Sequence, residues 1–277
     1  MYSAEINRDN PSCFVFLIDQ SGSMADAFGA ESGKRKADAL ADAINRLLQN
    51  LVLKCARDEG VRDYYHVSVI GYGASTGPAF SGALAGRDLV SISEVANLPA
   101  RIDERIKQVS DGAGGLVDQP VKFPIWFEPK AGGGTPMCAA LAQANTILGS
   151  WLAQHPACFP PIVINISDGE STDGDPSAPA DHIRTQATTD GNVLLFNIHL
   201  SAAAASPIQF PDSESNLPDE FARLLFRVSS LLPPHLKDAV KQEGVAVSEG
   251  TRGFVFNADL VSLIKFLDIG TRASNLR

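Results

Sequence analysis

Apolar and polar positions along the chain change period repeatedly, and the alternation predicts strands and helices in turn. The run Phe14-Val-Phe-Leu-Ile-Asp19 is apolar at every position until its acid, the pattern of a strand covered on both faces. Residues 34–57 then carry Ala37, Leu40, Ala41, Ile44, Leu47, Leu48 and Leu51 at helical spacing. A second strand is predicted at 65–72 and a short edge strand at 79–84. The apolar spacing predicts a helix at 99–109, a glycine-rich turn at Asp111 to Gly115 and an extended aromatic piece from Phe123 to Phe127. A helix that starts after Thr135 and runs to about Gln154 follows, then a strand at 161–167, a helix near 178–188 and a strand at 192–200. Two helices at 218–231 and 234–243, a strand at 253–256 and a last helix from Ala258 to about Gly270, with Asn257 as its N-cap, complete the pattern.

This succession predicts an α/β fold, doubly wound, with a mostly parallel central sheet, helices on both faces and one short antiparallel edge strand. The chain has 277 residues, 44% of them hydrophobic, enough for one enlarged domain. Its core is expected over about 12–270, with an enlarged connection at 86–130 and a long loop at 201–217.

Charge narrows the function classes. The formal net charge is -9, and the largest basic cluster is Lys34-Arg35-Lys36, read as the solvated start of a helix, so no nucleic-acid footprint is expected. The N-terminal residues lack the basic and apolar regions of a signal peptide. No apolar run reaches the ~20 residues that span a bilayer, so no membrane partner is expected. Cys13, Cys55, Cys138 and Cys158 form no Cys-x-x-Cys pair and read as buried free thiols. Together these features predict a cytoplasmic location.

The candidate chemistry lies where strands end. Asp19, Ser21 and Ser23 stand at alternate positions as the first strand leaves its sheet, so their side chains can converge. Ala131-Gly-Gly-Gly-Thr135-Pro136 puts a hydroxyl after a glycine-rich loop, with the proline at the first position of a helix. Pro160-Pro-Ile-Val-Ile-Asn-Ile-Ser-Asp168-Gly169 is another buried strand ending in an acid. Oxygen donors of this kind suit Mg²⁺, and Mn²⁺ and Ca²⁺ accept the same ligands. Ser, Thr and Asp also cap helices and turns without metal, but capping requires neither this order nor this placement at strand ends.

In these three segments the chain resembles the von Willebrand factor type A domain, whose metal-ion-dependent adhesion site reads Asp-x-Ser-x-Ser, then a distant Thr, then a distant Asp followed by Gly. Asp19, Ser21, Ser23, Thr135 and Asp168 fill the five positions in order. The resemblance implies a Rossmann-like fold of the intracellular, bacterial type. It implies a metal held by these residues, with an open coordination position for an Asp or Glu of a protein partner, and a last helix that can shift with the site. It also implies a non-enzymatic adaptor, with AAA+ ATPases, protein kinases, phosphatases and defence-system components among the partners of such domains. Acids at 173, 175, 212 and 214 should rim the same face.

Two other functions fit the same residues. One is a structural subunit whose metal only braces loops. The other is a metal-dependent hydrolase, against which stands the lack of a second carboxylate cluster or a placed general base.

Several motif matches fail. Counting an EF-hand from Asp168 or Asp173 puts Pro179 or Arg184 where its bidentate Glu belongs, so the extra acids of 168–175 read as solvated loop residues. Gly71-Tyr-Gly73-Ala-Ser-Thr76-Gly77 has its third glycine displaced from the dinucleotide fingerprint and reads as a turn. His66, His155, His182, His199 and His235 are dispersed and suggest no zinc site or catalytic base. Trp126 and Phe127 read as core residues, with a contact role as the alternative because they precede the threonine loop.

Overall fold

The computed structural model describes residues 2–28, 33–110, 115–200 and 206–271. Eight strands form the central sheet, numbered here in chain order: β1 Ser12–Asp19, β2 Tyr65–Tyr72, β3 Thr76–Pro78, β4 Val90–Ser91, β5 Ile162–Ser167, β6 Leu194–Leu200, β7 Ile208–Gln209 and β8 Phe254–Ala258. Their spatial order is β7-β8-β6-β5-β1-β2-β3, with β4 also paired to β2. The five long strands run parallel, β1 lying between β2 and β5 with Phe14 opposite Val67 and Ile162. The helices are α1 Lys36–Cys55, α2 Ile92–Asn97, α3 Met137–Gln154, α4 Ser177–Thr185, α5 Glu220–Val228, α6 Pro234–Gln242 and α7 Leu260–Gly270.

The period of two along β1 divides the core. Phe14, Phe16 and Ile18 join a cluster with Leu40, Ile44 and Leu48 of α1 and Phe266 of α7. Val15 and Leu17 join another with Leu141 and Leu148 of α3 and Leu225 of α5. A strand buried on both faces does not alternate apolar with polar residues, which is why β1 is apolar from Cys13 to Ile18. The architecture is mixed α/β with a mostly parallel sheet. No helix among the described residues is long and apolar enough to cross a membrane.

Several expectations need correction. Residues 101–110 are not a helix: Arg101–Ser110 pairs antiparallel with Leu116–Ile125 in a hairpin separate from the central sheet, with Ile102 opposite Pro124 and Ile106 opposite Pro120. Ile102 and Ile106 are spaced for one face of a helix, but an interval of four also keeps them on one face of a strand, where both are exposed. The helix of this region is α2, started by a capping box in which Ser91 and Glu94 bond reciprocally. The expected edge strand at 79–84 is displaced to β3, and Gly82–Leu84 is a 3-10 turn. Antiparallel strands occur at both sides of the sheet, not one, because β7 in the long connection pairs with β8. Asn257 does not cap the last helix. It has φ +59, and Asp259 is the N-cap, accepting from Ser262 N. Pro136 is the N-cap of α3 and not its first residue. The turn expected at Asp111 to Gly115 lies, except for Gly115, outside the described residues, as do 201–205 of the long connection.

Candidate metal centre

Because β1 and β5 are parallel neighbours in register, Ile18 opposite Ile166, the acids that end them emerge at the same edge of the sheet. Asp19 then organises the loop that follows: its Oδ1 accepts from Ser21 N at 2.8 Å, and Oδ2 accepts from Ser167 Oγ at 2.7 Å. A 3-10 turn at Gly22–Ala25 brings Ser23 back, so that Ser21 Oγ and Ser23 Oγ lie 3.0 Å apart and Ser23 Oγ donates to Asp168 Oδ1 at 2.7 Å. Ser23 and Asp168 are 145 residues apart in the chain.

The glycine loop delivers Thr135. Gly132 N donates to Gln20 O at 2.8 Å and Gly22 N donates to Gly133 O at 3.0 Å, joining the loop to the segment after β1. The approach demands glycine. A Cβ on Gly73 would stand 2.5 Å from Gln20 O, and one on Gly133, whose φ is +83, would stand 2.4 Å from Ala74 N. Thr135 itself is locked to the loop after β5, donating from N to Thr172 Oγ1 at 2.9 Å while its carbonyl accepts from Thr172 N at 2.9 Å. Its hydroxyl faces Gly169, where an added Cβ would lie 3.9 Å from Thr135 Oγ1. All five predicted residues therefore meet at one edge.

Their surroundings are short of positive charge at Asp19. Burial pushes the Asp19 carboxyl above the usual range against hydrogen bonds from Ser21 and Ser167, and the neighbouring charge of Asp168 adds to the rise. A cation beside Asp19 would offset both causes. The donor set is entirely oxygen and mostly hydroxyl, which fits a hard divalent cation. It is not a carboxylate, histidine or thiolate cage: among the described residues no three His, Cys, Asp or Glu side chains are grouped to hold a metal ion.

Some neighbours were not foreseen. Lys36, read as part of a solvated helix start, is buried, and its Nζ lies 2.7 Å from Asp168 Oδ2. Only Lys34 and Arg35 of that triplet keep largely exposed side chains, paired with Asp42 and Asp38. Ser167, one residue before the predicted acid, was equally unmarked. Asp173 is exposed but not merely solvated, since it accepts from Cys138 N and Ala139 N at 3.0 and 2.9 Å, at the start of α3. A cleft of about 480 Å³ opens beside Asp168, walled in part by Lys36, His199, Phe256 and Asn257. Burial pushes the His199 imidazole down to about 4; its ring stacks on Phe256 at 4.6 Å and its Nδ1 accepts from Asn257 N.

No family model and no curated protein matches the chain. Among solved structures it is similar to the vWF domain of the type V pili tip protein Mfa5 from Porphyromonas gingivalis, at 14% identity and TM-score 0.29, over 58% of this chain and 39% of that one. It is similar to the pilus adhesin SpaC from Lactobacillus rhamnosus GG, at 14% identity and TM-score 0.43, over 98% of this chain and 32% of that one. It is also similar to the PilB minor pilin from Streptococcus sanguinis, at 10% identity and TM-score 0.42, over 94% of this chain and 61% of that one. The chain spans less than two thirds of the length of each.

Proposed function

We propose that the chain is a doubly wound domain of the von Willebrand factor A type that holds a divalent cation, Mg²⁺ or else Mn²⁺ or Ca²⁺, with Asp19, Ser21, Ser23, Thr135 and Asp168, and through it binds an Asp or Glu of a protein partner. The observation that supports this reading is the convergence of three distant segments, joined at 2.7 Å between Ser23 and Asp168, at 3.0 Å between Gly22 N and Gly133 O and at 2.9 Å between Thr172 N and Thr135 O, on an all-oxygen donor set. When bound, the cation would supply a Lewis-acid position for an outside carboxylate. The chain's own contribution is positioning. Ser167 and the Ser21 amide orient Asp19, and the interlocked glycine loop presents Thr135, so little has to be ordered when the site is filled. Specificity would then come from the cleft and loops around Asp168.

In this reading the protein is a non-enzymatic adaptor, expected in the cytoplasm beside an AAA+ ATPase, a kinase, a phosphatase or a defence component. The test is capture from host lysate with wild type and Asp19→Ala, each with Mg²⁺ and with EDTA, together with melting curves. The expected result is a partner retained only by wild type with Mg²⁺, and a metal-dependent rise in Tm that Asp19→Ala loses while staying folded. An equal rise in both proteins would put the metal elsewhere.

A further inference from the structure

We infer that Lys36 is a tethered cation that sets how tightly the centre takes a divalent metal and makes the loaded centre require an anion from outside; this rests on the metal-binding reading above. Lysine is almost never fully buried unless paired, yet the Lys36 side chain is 3% exposed and that of its partner Asp168 is 0% exposed. The pair is also fixed in place. Lys36 N donates to Asp26 O at 2.9 Å, tying the first turn of α1 to the loop that carries Ser21 and Ser23.

With Lys36 in position every carboxylate oxygen of the centre has a donor. Asp168 receives Ser23 on Oδ1 and Lys36 on Oδ2, while Asp19 receives the Ser21 amide on Oδ1 and Ser167 on Oδ2. Two carboxylates against one ammonium leave a net charge of about -1, which becomes about +1 with a divalent cation. Without Lys36 the same centre would run from about -2 to neutral. The lysine therefore has two opposed effects. It repels an arriving cation, and it leaves the filled centre positive, which only an anionic ligand complements. Lys36 is also among the residues that line the cleft beside Asp168, so its positive charge lies next to a space open to an outside carboxylate.

The experiment is a Mn²⁺ titration of the full chain, read by the electron paramagnetic resonance signal of free Mn²⁺, for wild type, Asp19→Ala, Lys36→Met, Lys36→Gln and Lys36→Arg. Acetate is then added at saturating Mn²⁺, with water-proton relaxation as the readout. Lys36→Met and Lys36→Gln should bind Mn²⁺ about tenfold more tightly or better, since a like charge has been removed from a partly dry site. Lys36→Arg should stay near wild type, and acetate should lower the relaxation enhancement more in wild type than in Lys36→Met. Should the Met variant not fold, Lys36→Gln, which keeps a polar head without the charge, decides the matter. Neutral variants that stay folded and bind Mn²⁺ no more tightly than wild type would overturn the role of Lys36 and leave the metal site standing. Binding unaffected by Asp19→Ala, or absent from wild type and every variant, would instead overturn the metal reading and this inference with it.

Discussion

Asn45, midway along α1, is hydrogen-bonded to the backbone of Phe127 in both directions: its Nδ2 donates to Phe127 O at 2.8 Å, and Phe127 N donates to its Oδ1 at 3.0 Å. The same Oδ1 also accepts from Trp126 N at 2.8 Å. One side chain thus does for the segment before the glycine loop what a neighbouring strand would do, and it anchors that segment to a helix whose first turn reaches the candidate site.

Asn45→Ala should therefore cost about 2 to 4 kcal/mol, because two backbone amides and one carbonyl lose a partner in a buried place. Urea unfolding should show a lower midpoint with an unchanged slope. A loss under about 0.5 kcal/mol, the ordinary range for surface changes, would mean that the segment is held by its packing and by backbone bonds such as Ser81 N to Trp126 O, without need of Asn45.

Gly133 and Gly132 are adjacent but should respond differently to alanine. At Gly133 the backbone has φ +83 and the new Cβ would run into Ala74 N, whereas at Gly132 an added Cβ meets nothing within 4 Å. Gly133→Ala should cost about 1 to 3 kcal/mol and shift Thr135, lowering Mn²⁺ affinity about tenfold, while Gly132→Ala stays within about 0.5 kcal/mol of wild type. Equal behaviour of the two variants in melting and Mn²⁺ titration would show that the loop adapts and does not aim Thr135.

His66 gives the molecule a pH dependence away from the metal centre. Its Nδ1 accepts from Trp151 Nε1 at 2.9 Å, and burial, helped by the nearby His155, pushes its pKa below the ordinary value. The unfolded chain then binds the proton more readily than the folded one. This contribution to stability is complete above about pH 6.5 and is lost as pH falls through the depressed folded value. His66→Gln keeps an acceptor without titrating, so its urea midpoint should fall less than that of wild type between pH 7.5 and 5. Parallel declines would assign the effect to His155, His199 or His235, which burial also depresses.

Legibility in the sequence followed from physical redundancy. Asp19 and Asp168 were readable because each follows a buried, mainly apolar strand, and an acid at the end of such a strand belongs at the sheet's edge. Lys36 was not, since a lysine that follows two exposed charges looks solvated and its burial depends on Asp168, 132 residues away. The hairpin was misread for a related reason: Ile102 and Ile106 fit helix and strand equally, and no core contact decides between them. Helix α2, whose start is fixed by the Ser91–Glu94 capping box, is too short for periodicity to show.

The same hairpin has a consequence for solubility. Two ten-residue strands that pair only with each other leave their outer edges open, and open edges recruit other chains. Proline has no N–H to give across the ladder, so Pro120 and Pro124 must stand where the backbone faces away from Arg101–Ser110, and alternate positions Asp118 and Lys122 share that orientation. The outward row therefore presents a charge, a missing donor, a charge and a missing donor. A second molecule laid along that edge would find two of its five outward positions without an amide and would have to desolvate charges beside others, so this edge of the hairpin, which Arg105 ties to Asp42 of α1, is a poor template for a further strand.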